Sequence, residues 1–212
     1  MEFLTVIERI ASKIAPGRTP LFTEAHVIKA LEEIEAQQQV GRIKLSEKLG
    51  LGEGTTRTLT KHLKKEKMIK TSRSGIELSE HGKNLFSSLR AEMSREIEVP
   101  PSPLTVSTFN VAVLVRGVGS AVKYGLEQRD AAIKAGADGA TTLIFSKNRL
   151  TMPSVTEDVF KDIPSVHDAL LSKLRPKEND VIIIGSAEDK RLAEFGAKMV
   201  AFELLKSRSG RG

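Results

Sequence analysis

Residues 41–82 read GRIKLSEKLGLGEGTTRTLTKHLKKEKMIKTSRSGIELSEHG, and the apolar spacing within them decides the fold of the first half of the chain. Leu45, Leu49 and Leu51 form one set, and Thr56, Leu59 and Leu63 form another. Steps of three and four place each set on one helix face, so two short helices pack against each other. The turn Gly50-Leu51-Gly52 joins them, giving helices over 45–49 and about 53–66. Two short runs suited to strands follow, Met68–Ser72 and Gly75–Leu78, around a turn at Arg73-Ser74.

Working outward, Arg42-Ile43-Lys44 reads as a short strand. A helix over about 23–38 carries Val27, Ile28, Leu31 and Ile34 on one face. Residues 2–14 form an amphipathic helix through Phe3, Leu4, Ile7, Ile10 and Ile14, closed by Ala15-Pro16-Gly17. A last helix runs from Ser79 to about Arg95.

With Leu59 and Leu63 turned inwards, Thr55, Arg57, Thr58, Lys61 and His62 are left outside. Short hydroxyls and an arginine near a helix start suit base edges in a major groove. Lys61, Lys64 and Lys65 suit phosphates, which add affinity without sequence information. The turn around Arg73 can reach an adjacent groove or backbone, while Arg42 and Lys44 fit either the backbone or general surface. Gly52 and Gly54 let the second helix start close to another backbone or a phosphate. Residues 53–73 hold seven basic side chains against Glu53 and Glu66, which points to a polyanionic partner.

These residues resemble the winged helix-turn-helix of many prokaryotic repressors, and most closely the N-terminal domain of the central glycolytic gene repressor and its relatives. The resemblance implies a DNA-binding role. One departure is Lys67, where a glycine is common before the first wing strand.

The segment Val99-Pro100-Pro101-Ser102-Pro103 cannot continue a helix and favours an extended spacer. It divides the chain into a winged-helix domain over 1–98 and a small α/β domain over 104–206. In the latter, Thr108–Val115, the hairpin Thr141–Phe145 with Leu150–Met152, and Asp180–Gly185 read as strands. Gln128–Ala135, Pro164–Leu174 and Asp189–Lys206 read as helices, and SRSGRG at 207–212 reads as a frayed basic tail. The order is β-α-β-β-α-β-α. The fully apolar Val181–Ile184 run predicts a strand buried on both faces, hence a mixed sheet with some parallel pairing. The overall class is therefore an α+β winged helix followed by a small α/β domain. Loops at the carboxyl ends of such strands commonly bind ligands. Arg116, Ser120, Arg129, Asp130, Thr142 and Ser186 are the candidate ligand residues, against the plainer reading that Arg129 and Asp130 form a surface pair. The stretch 119–143, GSAVKYGLEQRDAAIKAGADGATTL, is similar to an uncharacterised archaeal family that joins a winged helix to a small α/β domain.

The chain has no cysteine and four histidines, without metal-ligand spacing, so neither a disulfide nor a metal site is expected. No Walker A lysine, GxSxG or HExxH occurs. The Gly117-Val118-Gly119 loop lacks the third glycine of a dinucleotide fingerprint, so no cofactor is expected and the chain is read as a binding protein. No apolar run is long enough to span a membrane, and the N-terminus does not read as a signal peptide. The sequence thus predicts a cytoplasmic transcriptional regulator of double-stranded DNA. A homodimer is expected because operators mirror two-fold symmetry, with helices 2–14 and 79–95 as dimer elements and a small-molecule effector as a further candidate partner. Two alternatives stand beside it: a metabolic enzyme with an autoregulatory winged helix, and a winged helix that contacts protein.

Overall fold

Leu45, Leu49, Leu59 and Leu63 are all buried, and Thr56 is buried with them. They join two helices, α3 (Arg42–Leu49) and α4 (Glu53–Lys65), of the computed structural model, which describes residues 1–12 and 21–210. The chain divides into two units, Met1–Leu89 and Arg90–Gly212.

In the first unit, α1 (Glu2–Ala11) and α2 (Glu24–Gln37) precede this pair. Strands β1 (Ile69–Thr71) and β2 (Ile76–Leu78) form an antiparallel hairpin with Lys70 opposite Glu77. Helix α5 (Glu80–Glu92) follows. The strand expected at Arg42-Ile43-Lys44 is instead the first turn of α3. The strand-like contact moves one step back, to an isolated bridge between Val40 and Ile76. Ile14 and the expected stop Ala15-Pro16-Gly17 lie outside the described residues.

Both helices of the pair end in the same hydrogen-bonded closure. At α3, Leu51 N–H donates to the Ser46 carbonyl at 3.1 Å and Gly50 N–H to the Glu47 carbonyl at 3.2 Å, with Gly50 at φ 64°. At α4, Met68 N–H donates to Leu63 at 2.9 Å and Lys67 N–H to Lys64 at 3.0 Å, with Lys67 at φ 57°. The lysine thus takes the left-handed conformation that a glycine would supply, so the turn before the wing is kept. The apolar residues of α1 (Phe3, Leu4, Val6, Ile7 and Ile10) are all buried. No exposed large hydrophobic residue lies on α1 or α5 among the described residues, so neither offers the spare apolar face expected of a dimer element.

Helix α2 opens with a capping box. The Thr23 N–H donates to His26 Nδ1 at 3.2 Å, and Thr23 Oγ1 lies 3.0 Å from the same nitrogen. Burial lowers the His26 pKa to about 4. The unfolded chain therefore takes up this proton first, and stability from His26 is complete above the ordinary value near 6.5 and lost as pH falls towards 4. His26→Gln keeps a capping residue at the third helical position without titrating. Urea midpoints between pH 7 and 4.5 should fall less for this variant than for the wild type.

The second unit carries a five-stranded sheet in the order β3-β4-β7-β5-β6. Its strands are β3 (Ile97–Glu98), β4 (Phe109–Val115), β5 (Gly139–Ser146), β6 (Arg149–Thr151) and β7 (Val181–Ala187). Helices α6 (Leu126–Lys134) and α8 (Lys190–Arg208) pack on one face, and α7 (Pro164–Leu174) lies against the other. Every strand pair is antiparallel, which corrects the parallel pairing expected from the Val181–Ile184 run. That run is apolar because both faces are covered. Ile182 and Ile184 join the α7-side core, and Gly185 lies on the α8 side. The hairpin turn falls at Lys147 and Asn148, both at positive φ. The proline segment lies inside this unit, with Val99 and Leu104 in its core. Helix α8 continues through Ser207 and Arg208, which were expected in a frayed tail, and residues 211–212 lie outside the described residues.

A Cβ on Gly185 would meet the Ala193 carbonyl well inside contact distance and Ala197 N at 2.8 Å. Backbone cannot rotate away as a side chain can. Gly185→Ala should lower stability by about 1–3 kcal/mol, read as a reduced urea midpoint.

Candidate nucleic-acid interface

At 100° per residue, burial of Leu59 and Leu63 decides which positions of α4 face water. Arg57, Thr58, Lys61, Lys64 and Lys65 are exposed, and Thr55 is half-buried at the helix start. The exposed side chains fall on two adjacent stripes. Arg57, Lys61 and Lys64 lie on the side towards the hairpin, where they line a groove of about 560 Å³ together with Arg42 and Arg73. Thr58 and Lys65 lie on the neighbouring stripe with Gly54, outside that groove.

The groove's walls are α4 and the hairpin turn. Ser72 N–H donates to the Gly75 carbonyl at 2.9 Å, and the Ser72 and Ser74 hydroxyls are 2.7 Å apart. Gln39 Nε2 donates to Ser74 Oγ at 2.8 Å, which braces the turn against the α2–α3 junction. Lys64 Nζ donates to Thr71 Oγ1 at 3.3 Å across the gap. None of the lining residues is a carboxylate. Of the two readings of Arg42, backbone contact or general surface, the structure places it on the groove. It gets there as the first residue of α3, which the strand reading of 42–44 hid.

Three glycines border this face. Gly41 and Gly52 cap the starts of α3 and α4, and Gly54 lies in the first turn of α4. A Cβ on any of them would meet nothing within 4 Å, so no contact among the described residues calls for a glycine there. Thr58 Oγ1 donates to the Gly54 carbonyl at 3.1 Å, which leaves its lone pairs available to accept.

His62 corrects the sequence reading, because it is buried. Its Nδ1 lies 2.7 Å from the Ile10 carbonyl, and Phe22 meets its ring edge-on at 5.6 Å. The carbonyl can only accept, which places the imidazole proton on Nδ1. Arg9 and Glu66 pair at 2.7 Å nearby, so α1 holds the C-terminal half of α4 in two places. Position 62 flanks Leu59 and Leu63 on the helical wheel, and this adjacency was the available signal. His62→Leu should destabilise the fold by about 1–3 kcal/mol by removing the buried hydrogen bond to the Ile10 carbonyl, seen as a lower thermal midpoint.

The six residues proposed as a ligand site in the second unit are not brought together. Arg116 pairs with the buried Asp180 at 2.6 Å, and Asp180 also accepts from Gly117 N–H at 2.9 Å and Lys177 N–H at 2.8 Å. This cluster closes the sheet where Val115 pairs with Val181. Ser186 pairs with Asn110 and Gly139 at the opposite end, because β7 runs against its neighbours. Its Oγ accepts from Val106 N–H at 3.4 Å. Arg129 and Asp130 form an exposed pair at 3.1 Å. Ser120 is exposed in a short 3₁₀ turn, and Thr142 is buried in mid-strand.

Residues 26–93 match the family described as the CggR N-terminal DNA binding domain, and residues 106–204 match a domain of unknown function (DUF4443). These matches support a winged-helix regulator family. The solved structure of a hypothetical protein from Pyrococcus horikoshii OT3 is similar at a TM-score of 0.71 and 28% identity, covering 88% of this chain and 94% of that one. A comparison with curated proteins finds no match. No helix among the described residues is long and apolar enough to cross a membrane.

Proposed function

We propose that this protein is a transcriptional regulator that acts by binding double-stranded DNA in the cytoplasm, and not by turnover. The observation that carries the reading is the groove beside α4, where five cationic side chains converge without a carboxylate. Gathering like charges costs free energy in the isolated protein, and a polyanion removes that cost. The similarity of residues 26–93 to a DNA-binding domain supports the same partner.

The second unit is proposed to sense a small molecule or to join two copies. Leu126 and Ile133 of α6 and Leu192 of α8 remain exposed, and they offer an apolar surface for a second copy in place of α1 and α5. Two copies would set two α4 helices on a two-fold axis, as a palindromic operator requires.

The decisive experiment incubates the purified protein with fragmented genomic DNA at low salt and sequences what is retained. The expected result is enrichment of discrete fragments, lost in the double variant Lys61→Glu, Lys64→Glu. Absence of DNA affinity even at low salt would overturn the reading.

A further inference from the structure

The groove beside α4 has two walls, and this shape says what part of the DNA it takes. Base edges lie at the floor of a groove in the duplex and meet a protein from one side only. A sugar–phosphate strand is a ridge that can be gripped from both flanks. We propose that the α4–hairpin groove is a clamp for one backbone strand, formed by Arg57, Lys61 and Lys64 on one wall with Arg42 and Arg73 completing it. Base reading then falls to the adjacent stripe of α4 at Gly54 and Thr58. This rests on the DNA-binding reading above, and it changes the role of Arg57 from base reader to phosphate ligand.

Three observations support the assignment. First, charge gathers in the groove. Five cations line it and no carboxylate does, against Lys65 alone on the neighbouring stripe, which suits phosphates and exceeds what uncharged base edges need. Second, the hairpin cannot reach far. Its strands are three residues each, and Gln39 and the Ser72–Ser74 contact hold its tip beside the α2–α3 junction. Arg73 is therefore presented to the groove, which Thr71, Ser72 and Ser74 also line. Third, Gly41 lines the groove and Gly54 the neighbouring stripe, each with open space where a Cβ would stand. Side chains are absent where a duplex would press closest.

The test uses the full chain, the best duplex recovered from the genomic selection, and a scrambled duplex of equal length. Arg57→Ala and Arg73→Ala should weaken binding to both duplexes by the same factor and make the salt slope shallower by about one each. Thr58→Val should lower the preference for the selected duplex by about fivefold or more, leaving the salt slope unchanged. As a second measurement, neutral methylphosphonates are placed one at a time along each strand. Positions that cost the wild type affinity should cost Arg57→Ala less. If Arg57→Ala alters the selected sequence while retaining the wild-type salt slope, the clamp is overturned, although the protein still binds DNA. Binding to neither duplex would instead remove the DNA-binding reading on which the clamp rests.

Discussion

Burial of Leu59 and Leu63 against α3 is the constraint on which the rest of the first unit depends. A helix has one rotational freedom when it docks, and two fully buried leucines four residues apart remove it. Once they face inwards, Thr56 and Thr60 must also turn in, and both are buried. Arg57, Lys61 and Lys64 then have nowhere to point but outwards, towards the hairpin. The apolar core and the basic surface are two consequences of one rotational setting. A change that rotated α4 by one residue would bury a cation and expose a leucine, which costs several kcal/mol on either count.

The same setting explains why α1 belongs to the site without touching it. Its Ile10 carbonyl lies in the last turn, where helix ends leave carbonyls to outside partners, and His62 of α4 meets it. The Arg9–Glu66 pair adds a second, half-exposed tie of smaller weight. Helix α4 is therefore braced along its inner face by α3 and near its C-terminal end by α1. Among the described residues, its outer face bears no such ties beyond the Lys64–Thr71 contact. A rigid inner face and cationic side chains on the outer one are what a helix needs to present charge at a defined angle.

Much of this was legible in the spacing of leucines, since helix period and core face follow from it directly. The misreadings have physical causes. Arg42-Ile43-Lys44 alternates polar and apolar like a strand, yet three residues cannot separate a period of 2 from one of 3.6, and Ile43 turns out to be exposed. The Val181–Ile184 run reports that both faces of β7 are covered and says nothing about strand direction. The scattered ligand set follows from that error. Arg116 and Ser186 would share an edge of the sheet if β7 ran parallel to β4, and they lie at opposite ends because it does not. A closure that depends on backbone conformation, as at Lys67, is likewise invisible to residue type.

The two units differ in how much they expose for recognition. In the first, polar chemistry converges on a groove lined by five cations and by no carboxylate. In the second, the conspicuous polar groups are largely consumed by the fold: Asp180 accepts from three donors, and Arg208 is held by Glu92 at 2.6 Å and by the Arg116 carbonyl at 2.6 Å. An arginine held on two sides closes a sheet end and is poorly placed to recognise a ligand as well. This unit also exposes apolar side chains on α6 and α8, at Leu126, Ile133 and Leu192. Apolar area drives association through burial, whereas unpaired cations select an anion. Under the division of labour proposed here, with DNA on the first unit and a small molecule or a second copy on the other, the first unit meets its partner through charge and the second can join a copy through apolar side chains.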